Sequence, residues 1–185
     1  GHAVRCFCPY RPSDDVDFGV ANSKDLRTFV SSLEKRGKAV MLEQTADTLH
    51  MQLDGLDISI FILPKIRPYV EDHSLTAEGI LATKLHAILD RGARRDFFDL
   101  YVIMVEERLG FIDCLRAIRT VYMTDVNEGL LLRAMTFFDD ATAEAPLPGE
   151  GSRDWLRVQT FFRNAAGALL APPVGELEIQ ERHVL

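Results

Sequence analysis

Two aspartates near the start of the chain have the spacing of a metal-binding pair. Asp15 and Asp17 lie in the segment RPSDDVDF at residues 11–18, and in a β-strand they project to the same side. Adjacent carboxylates repel each other unless water or a hard divalent cation compensates them. Oxygen-only ligation suits Mg²⁺ or Mn²⁺ that arrives with a phosphate substrate. The alternative interpretation is a solvated strand end without chemistry.

Asp57 is a candidate third carboxylate for the same site. It opens a later predicted strand that can lie beside the strand of the first two aspartates, and Ser59 would then share its face. In that position Asp57 would hold a second metal ion or activate a nucleophile. The alternative is that Asp57 only completes the turn at Asp54 and Gly55.

The segment at residues 82–101 combines an apolar helical stripe with many charges. Lys84 and Arg91 are seven residues apart, which places them on one helix face at a separation of about 10 Å. Asp96 and Asp99 are neighbours in the first turn of the next predicted helix. These cations could meet a polyanionic partner, while either acid could orient Lys84 or accept a proton. The alternative is that the charges pair across the helix corner and Lys84 extends to solvent.

The elements that must position these residues are predicted to be mainly strands in the first part of the chain and helices in the second. Alternating and branched residues predict strands at 3–8, 14–20, 40–43, 48–53 and 57–63, with a helix from Ser23 to near Gly37 between the second and third. Helical periodicity then predicts helices at 77–91, 96–108, 111–122, 126–141 and 153–170. Strands followed by helices indicate an α+β fold.

Composition limits the classes of function. The 185 residues include 21 basic and 28 acidic side chains, a net charge of −7, so any polyanionic partner must be met by a local basic patch. The three cysteines are Cys6, Cys8 and Cys114, and their odd number and irregular spacing favour a reducing cytoplasm. The longest apolar run, residues 58–63, is too short to cross a bilayer, so we expect no membrane association.

The order of the motifs resembles the AbiEii/AbiGii toxin family of nucleotidyltransferases, within the polymerase-β-like nucleotidyltransferase superfamily. The residues that carry the resemblance are Arg11, Ser13, Asp15, Asp17 and Phe18 in R-x-S-x-D-x-D-F, then Lys84, Arg91 and the run RDFFDLY at residues 95–101. The later FFDDA at residues 137–141, followed by Trp155, is also similar. Together these motifs span roughly residues 10–165.

The resemblance implies a fold and a domain organisation. A small mixed nucleotidyltransferase-type sheet is expected within residues 1–70, a helical part packed on it within 71–170, and a tail at 171–185. In the family the acidic pair follows a Gly-rich or Gly-Ser turn that holds phosphates, whereas only Gly1 and Ser13 precede Asp15 here. We therefore expect either that the N-terminal part of the core is truncated or that this turn has diverged into the segment CFCP at residues 6–9.

The resemblance also implies an activity. The expected protein is the toxin of a toxin–antitoxin pair, which transfers a nucleotide from a nucleoside triphosphate to an acceptor, expected to be RNA, with Mg²⁺ or Mn²⁺. A cognate antitoxin would be its protein partner and the cytoplasm its location. The alternative is a degenerate, catalytically inactive domain of the same fold that works by binding a partner.

The resemblance and the residue chemistry together assign roles to individual residues. Three groups are expected, for metal binding, catalysis and contact with the triphosphate. The metal ligands are Asp15, Asp17 and Asp57; the catalytic residues are Asp15, Asp17, Lys84, Asp96 and Asp99; and the triphosphate contacts are Ser13, Lys84, Arg91 and Arg95.

Overall fold

The computed structural model describes residues 2–8, 10–12, 15–122 and 127–170. Its N-terminal half contains a small mixed sheet, and helices follow, so the predicted α+β fold is confirmed. The first elements are α1 (His2–Phe7), β1 (Asp15–Val20), α2 (Ser23–Glu34), β2 (Ala39–Gln44), β3 (Thr48–Leu53) and β4 (Leu56–Ile62). A 3₁₀ turn (Arg67–Tyr69) and the short strands β5 (Val70–Glu71) and β6 (Ser74–Leu75) lead to the helices α3 (Ala77–Asp90), α4 (Arg94–Glu106), α5 (Phe111–Tyr122), α6 (Glu128–Thr136), α7 (Asp139–Ala143) and α8 (Asp154–Leu170).

The sheet joins the first strand directly to the last. Its order is β1-β4-β3-β2, with β1 and β4 parallel and the other pairs antiparallel. The predicted short turn between β3 and β4 is present: Asp54 and Gly55 have φ of 50° and 86°, the left-handed conformation that two-residue hairpins require. In the parallel pair, Asp15 lies opposite Asp57 and Asp17 opposite Ser59.

The two faces of the sheet differ in chemistry. One face is apolar, and α2 covers it with Leu26, Val30 and Leu33, which pack against buried residues such as Ile58 and Ile60. The side chains that alternate with these point to the other face, where β1 and β4 carry their aspartates. The alternation of the strands therefore separates the core from the candidate site.

A second core lies among the helices. Thr76 caps the start of α3 by accepting a hydrogen bond from the Gly79 nitrogen, and the helix ends before Gly92, whose φ is 58°. The fully buried side chains of Leu81, Leu85, Phe97 and Leu100 are part of this core, as are the aromatic residues Trp155 and Phe162 from α8. None of the helices in the described residues is long and apolar enough to span a membrane.

The structure corrects two predicted elements. Residues 3–8 are not a strand: α1 is helical, and Val4, 1% exposed, packs with the helical core rather than the sheet. The helix predicted at 126–141 is two helices, α6 and α7, separated at Phe137 and Phe138. The break lets Phe138 pack against Phe97 and Trp155. Ser13 and the tail at 171–185 lie outside the described residues.

Replacement of Gly79 by alanine tests the close packing at the start of α3. A β-carbon there would lie 3.0 Å from Tyr69 Cβ and 3.1 Å from the Tyr69 carbonyl oxygen, so we expect a loss of about 1 to 3 kcal/mol in the free energy of unfolding. Gly167→Ala is the matched control, since nothing lies within 4 Å of its added β-carbon. Alanine should stabilise that exposed helical position by about 0.5 to 1 kcal/mol. Urea unfolding measures both, and equal effects of the two changes would contradict the packing.

Candidate active site

Two buried carboxylates on α4 collect cations from three parts of the chain. Asp96 and Asp99 are 0% and 1% exposed. Lys84 Nζ lies 3.3 Å from Asp96 Oδ1 and 2.7 Å from Asp99 Oδ2. Arg91 and Arg11 complete the group, which we call the ion cluster: Arg11, Lys84, Arg91, Asp96 and Asp99. It joins the segment before β1 to α3 and α4.

Each arginine of the ion cluster makes a two-point contact with one carboxylate. Arg91 donates from Nε and Nη2 to the two oxygens of Asp96, at 2.8 and 3.1 Å. Arg11 donates from Nε and Nη2 to the two oxygens of Asp99, at 3.1 and 2.7 Å. The hydroxyl of Tyr10 also donates to Asp99. Such paired contacts fix the orientation of both groups.

The pKa values follow from these contacts. Burial alone would raise the pKa of Asp99, but the charge of Lys84 and the hydrogen bond from Arg11 outweigh burial and lower it to about 2. Burial and the adjacent Asp99 raise the pKa of Tyr10. Asp99 is therefore an ionised acceptor at neutral pH, and Tyr10 remains a protonated donor.

The acidic pair lies beside this cluster. Hydrogen bonding to Asp96 raises the pKa of Arg91, and the charge of Asp17 raises it further. The Arg91 side chain is 48% exposed, so it is the most accessible cation of the cluster. An early strand and a distant helix thus bring opposite charges to one region.

The polar face of the sheet is organised as two rows across three strands. The first row contains Asp17, Ser59 and His50, and the second contains Asp15, Asp57 and Gln52. We call the six residues the acidic face. His50 Nδ1 lies 2.9 Å from Ser59 Oγ, and Gln52 Nε2 donates to Asp57 Oδ1 at 2.8 Å.

The acidic face presents carboxylate oxygens, the type of ligand that hard divalent cations prefer. No group of three His, Cys, Asp or Glu residues within the described ranges is close enough to hold a metal ion by itself. Mg²⁺ is commonly bound through one or two carboxylates together with substrate phosphates. The oxygen ligands of Asp15, Asp17 and Asp57 fit that mode and do not form a cage made of protein alone.

The observed exposure and pairing of the cations differ in part from the predictions. Lys84 does not extend to solvent, because its side chain is 13% exposed and lies between two carboxylates. The expected pairing across the helix corner is right for Arg91 and Asp96. Arg95 is exposed on the first turn of α4, and the structure gives it no ion pair with another described residue.

Arg94 and Tyr10 are structural residues that the sequence did not reveal. Arg94 is 6% exposed, pairs with Glu150 at 2.6 Å and lies 4.6 Å over the ring of Trp155. Its partner comes from the Pro/Gly-rich loop 56 residues later, so no local spacing could indicate the pair. Tyr10 precedes Arg11, a residue of the recognised motif, which is the only signal near it.

A surface depression along α2 does not coincide with the acidic face. It has a volume of about 620 Å³ and is lined by Arg27, Thr28, Ser31, Ser32, Lys35 and Arg36 of α2 and its C-terminal end. Because α2 packs on the apolar face of the sheet, the depression lies on the opposite side from the aspartates.

Comparison with known proteins identifies a family that the chain matches over most of its length. The profile of the family described as "Nucleotidyl transferase AbiEii toxin, Type IV TA system" matches residues 3–168. The chain is also 26% identical over 163 residues to an uncharacterized protein of Aquifex aeolicus (strain VF5), covering 83% of this chain and 78% of that protein. The match includes both the acidic face and the ion cluster.

Replacement of Asp99 by asparagine tests the ion cluster. The variant leaves Lys84 and Arg11 short of a countercharge, so we expect a loss of about 3 to 5 kcal/mol in the free energy of unfolding at pH 7. Because the pKa of Asp99 falls from 3.8 to about 2 on folding, its ionisation contributes about 2 kcal/mol above pH 4, and this is lost as the pH falls through 2. The difference between the two proteins should therefore shrink over that range.

Glu128→Gln is the control for this experiment. Its partner Arg119 is 45% exposed and Glu128 itself 61% exposed, and such surface pairs contribute about 1 kcal/mol or less. Urea unfolding at pH 7, 4 and 3 compares the variants. Equal losses at the two positions would contradict a cluster stabilised by buried charge.

Proposed function

The chain belongs to the AbiEii family of nucleotidyl transferase toxins of type IV toxin–antitoxin systems, and on that premise we propose that it transfers a nucleotide from a nucleoside triphosphate to RNA. The observation that carries this proposal is the proximity of the acidic face to the exposed cation Arg91, whose pKa the charge of Asp17 helps to raise. Carboxylates beside a cation fit a substrate that consists of phosphates and a bound metal ion.

The reaction requires an in-line displacement at the α-phosphorus. A hydroxyl oxygen of the acceptor forms the new phosphorus–oxygen bond, the bond to the leaving pyrophosphate breaks, and the acceptor gives up its hydroxyl proton. We assign Arg91 to the phosphate charge that develops in this step. Asp57, exposed on β4 and oriented by Gln52, is the group that accepts the proton.

Asp15 and Asp17, with Asp57 as the third ligand, would hold Mg²⁺ or Mn²⁺. A bound divalent cation would neutralise charge on the phosphate oxygens. The triphosphate would lie at β1, on the side of the sheet where Arg91 is exposed. Ser13 and Arg95 are further proposed phosphate contacts, as Ser13 precedes the acidic pair and Arg95 begins α4.

In this proposal the main role of Lys84, Asp96 and Asp99 is to position Arg91. Lys84 is enclosed by the two carboxylates, and Asp96 holds Arg91 through two hydrogen bonds. The three residues hold Arg91 near Asp17, and Lys84 retains a third N–H donor that could contact a phosphate. Removal of Lys84 should thus lower stability as well as activity, unlike removal of an exposed cation.

The family also suggests the biological setting. We propose that a cognate antitoxin protein is the partner of this chain and that the toxin acts in the cytoplasm. The type IV toxin–antitoxin description of the family supports both assignments. The net charge of −7 favours an RNA acceptor held by local contacts over broad attraction to nucleic acid.

Asp17→Asn and Asp15→Asn test the assignment of the acidic face. Asparagine keeps the shape of the side chain and removes the charge that a divalent cation needs. We expect at least about a 100-fold loss of transfer from an α-labelled nucleoside triphosphate to RNA, with the unfolding free energy changed by about 1 kcal/mol or less. Glu34→Gln, an exposed acid on α2 and therefore on the other side of the sheet, is the matched control. Transfer at the wild-type rate by both aspartate variants would remove this face from the mechanism.

Removal of metal separates catalysis from the partner-binding alternative. We expect titration calorimetry to detect binding of a nucleoside triphosphate in the presence of Mg²⁺ or Mn²⁺ and to lose that signal with excess EDTA, because uncompensated aspartates repel phosphate. Asp15→Asn and Asp17→Asn should reduce the heat of triphosphate binding that depends on the metal ion. Absence of heat with every triphosphate at millimolar concentration would favour the degenerate domain that works by binding a partner.

A further inference from the structure

His50 and Ser59 extend the acidic face beyond the strands that carry its aspartates. A hydrogen bond of 2.9 Å joins His50 Nδ1 to Ser59 Oγ, and the two residues lie opposite each other in the pairing of β3 and β4. Both are partly exposed. Ser59 also lies opposite Asp17 across the parallel pair, so the three residues form one row along the surface.

The two ends of this row differ, because the cations lie near only one of them. Arg11 of the ion cluster precedes β1 and pairs with Asp99, and the charge of Asp17 on β1 acts on Arg91. The cations therefore lie on the side of β1, where the proposed triphosphate and its leaving pyrophosphate would bind. In an in-line displacement the attacking hydroxyl enters opposite the leaving group. The acceptor must then approach from the side of β4 and β3, away from the cations.

The spacing of the strands matches this approach. Neighbouring strands are about 4.8 Å apart, which places Ser59 one strand and His50 two strands from the line of Asp15 and Asp17. Asp57 and Gln52 occupy the same two strands in the second row. On the side of the face that is distant from the cations, Ser59, His50 and Gln52 are neutral hydrogen-bonding groups next to the proposed proton acceptor, and the exposed Glu43 of β2 lies opposite His50.

We propose that the His50–Ser59 pair is the binding site for the acceptor, and that it takes a ribose hydroxyl. This inference rests on the proposed function, since it names the acceptor side of the same site. The serine hydroxyl both donates and accepts hydrogen bonds, and its bond to His50 fixes its direction. The pair holds the hydroxyl beside Asp57, while binding of the triphosphate depends on the other side of the face.

Binding of short RNA oligonucleotides tests the inference without requiring turnover. One labelled oligonucleotide ends in ribose and its match ends in 2′,3′-dideoxyribose; fluorescence anisotropy measures their affinities in the presence of Mg²⁺ and a non-hydrolysable triphosphate. We expect the wild-type protein to prefer the ribose end by about 5- to 10-fold, the value of one or two hydrogen bonds. Ser59→Ala and His50→Phe should remove the preference.

Two further variants separate a specific contact from a structural effect. His50→Asn keeps a polar atom near the position of Nδ1 and should restore most of the preference. Thr48→Val changes a side chain two residues away on the same face of β3 and should leave the preference unchanged. In all four variants we expect triphosphate affinity to equal that of the wild type, as measured by calorimetry.

The outcomes distinguish this inference from the proposed function. Failure of the wild-type protein to transfer label to RNA would contradict the proposed function, whereas the anisotropy measurement would still judge the acceptor site. A wild-type protein with no preference for the ribose end, or Ser59→Ala with an unchanged preference, would overturn the inference. Loss of triphosphate affinity in Ser59→Ala and His50→Phe would also overturn it, because the pair would then belong to the triphosphate side.

Discussion

The buried ion pairing of Asp96 and Asp99 is the constraint on which the arrangement of the site depends. Two carboxylates buried in the helical core require cations nearby, and those cations come from the segment before β1 and from α3 and its C-terminal end. Satisfying the charge of α4 therefore brings the start of the sheet to the helical half. The acidic face of β1 lies beside Arg91 as a direct result.

The same constraint explains why two kinds of cation must be distinguished. Lys84 and Arg91 share a helix face in the sequence, yet Lys84 is enclosed and Arg91 is 48% exposed. A buried ammonium group between two carboxylates supports geometry, whereas a planar guanidinium can bind one carboxylate with two donors and still present others. The chemistry of the side chains thus suits Lys84 to hold the site together and Arg91 to meet a substrate.

The fold and part of the site follow from local patterns, and the remainder depends on tertiary contacts. The alternation in β1 and β4, the Asp54-Gly55 turn and the apolar stripe of α3 are encoded within a few residues of each other, and those elements are present as predicted. Residues 3–8 alternate too weakly to distinguish a strand from the helix that packs Val4 into the core. Contacts such as Arg94 with Glu150 join distant segments, and no spacing in a single sequence can reveal them. The roles of the acidic residues stay predictions, because a sequence pattern does not distinguish a metal ligand from a solvated carboxylate.

The summed charge of the ion cluster and the acidic face affects whether a triphosphate can bind there. The ion cluster contains three cations, Arg11, Lys84 and Arg91, and two carboxylates, Asp96 and Asp99, which leaves one positive charge. Asp15, Asp17 and Asp57 on the acidic face reverse the sign, so these eight groups together carry a net charge of −2 when all are ionised. A triphosphate would add further negative charge and be repelled at such short range. One divalent cation brings the eight groups to neutrality, and a second gives them the positive charge that a polyphosphate requires. In the proposed function, a divalent cation that binds together with the nucleotide would offset this negative charge.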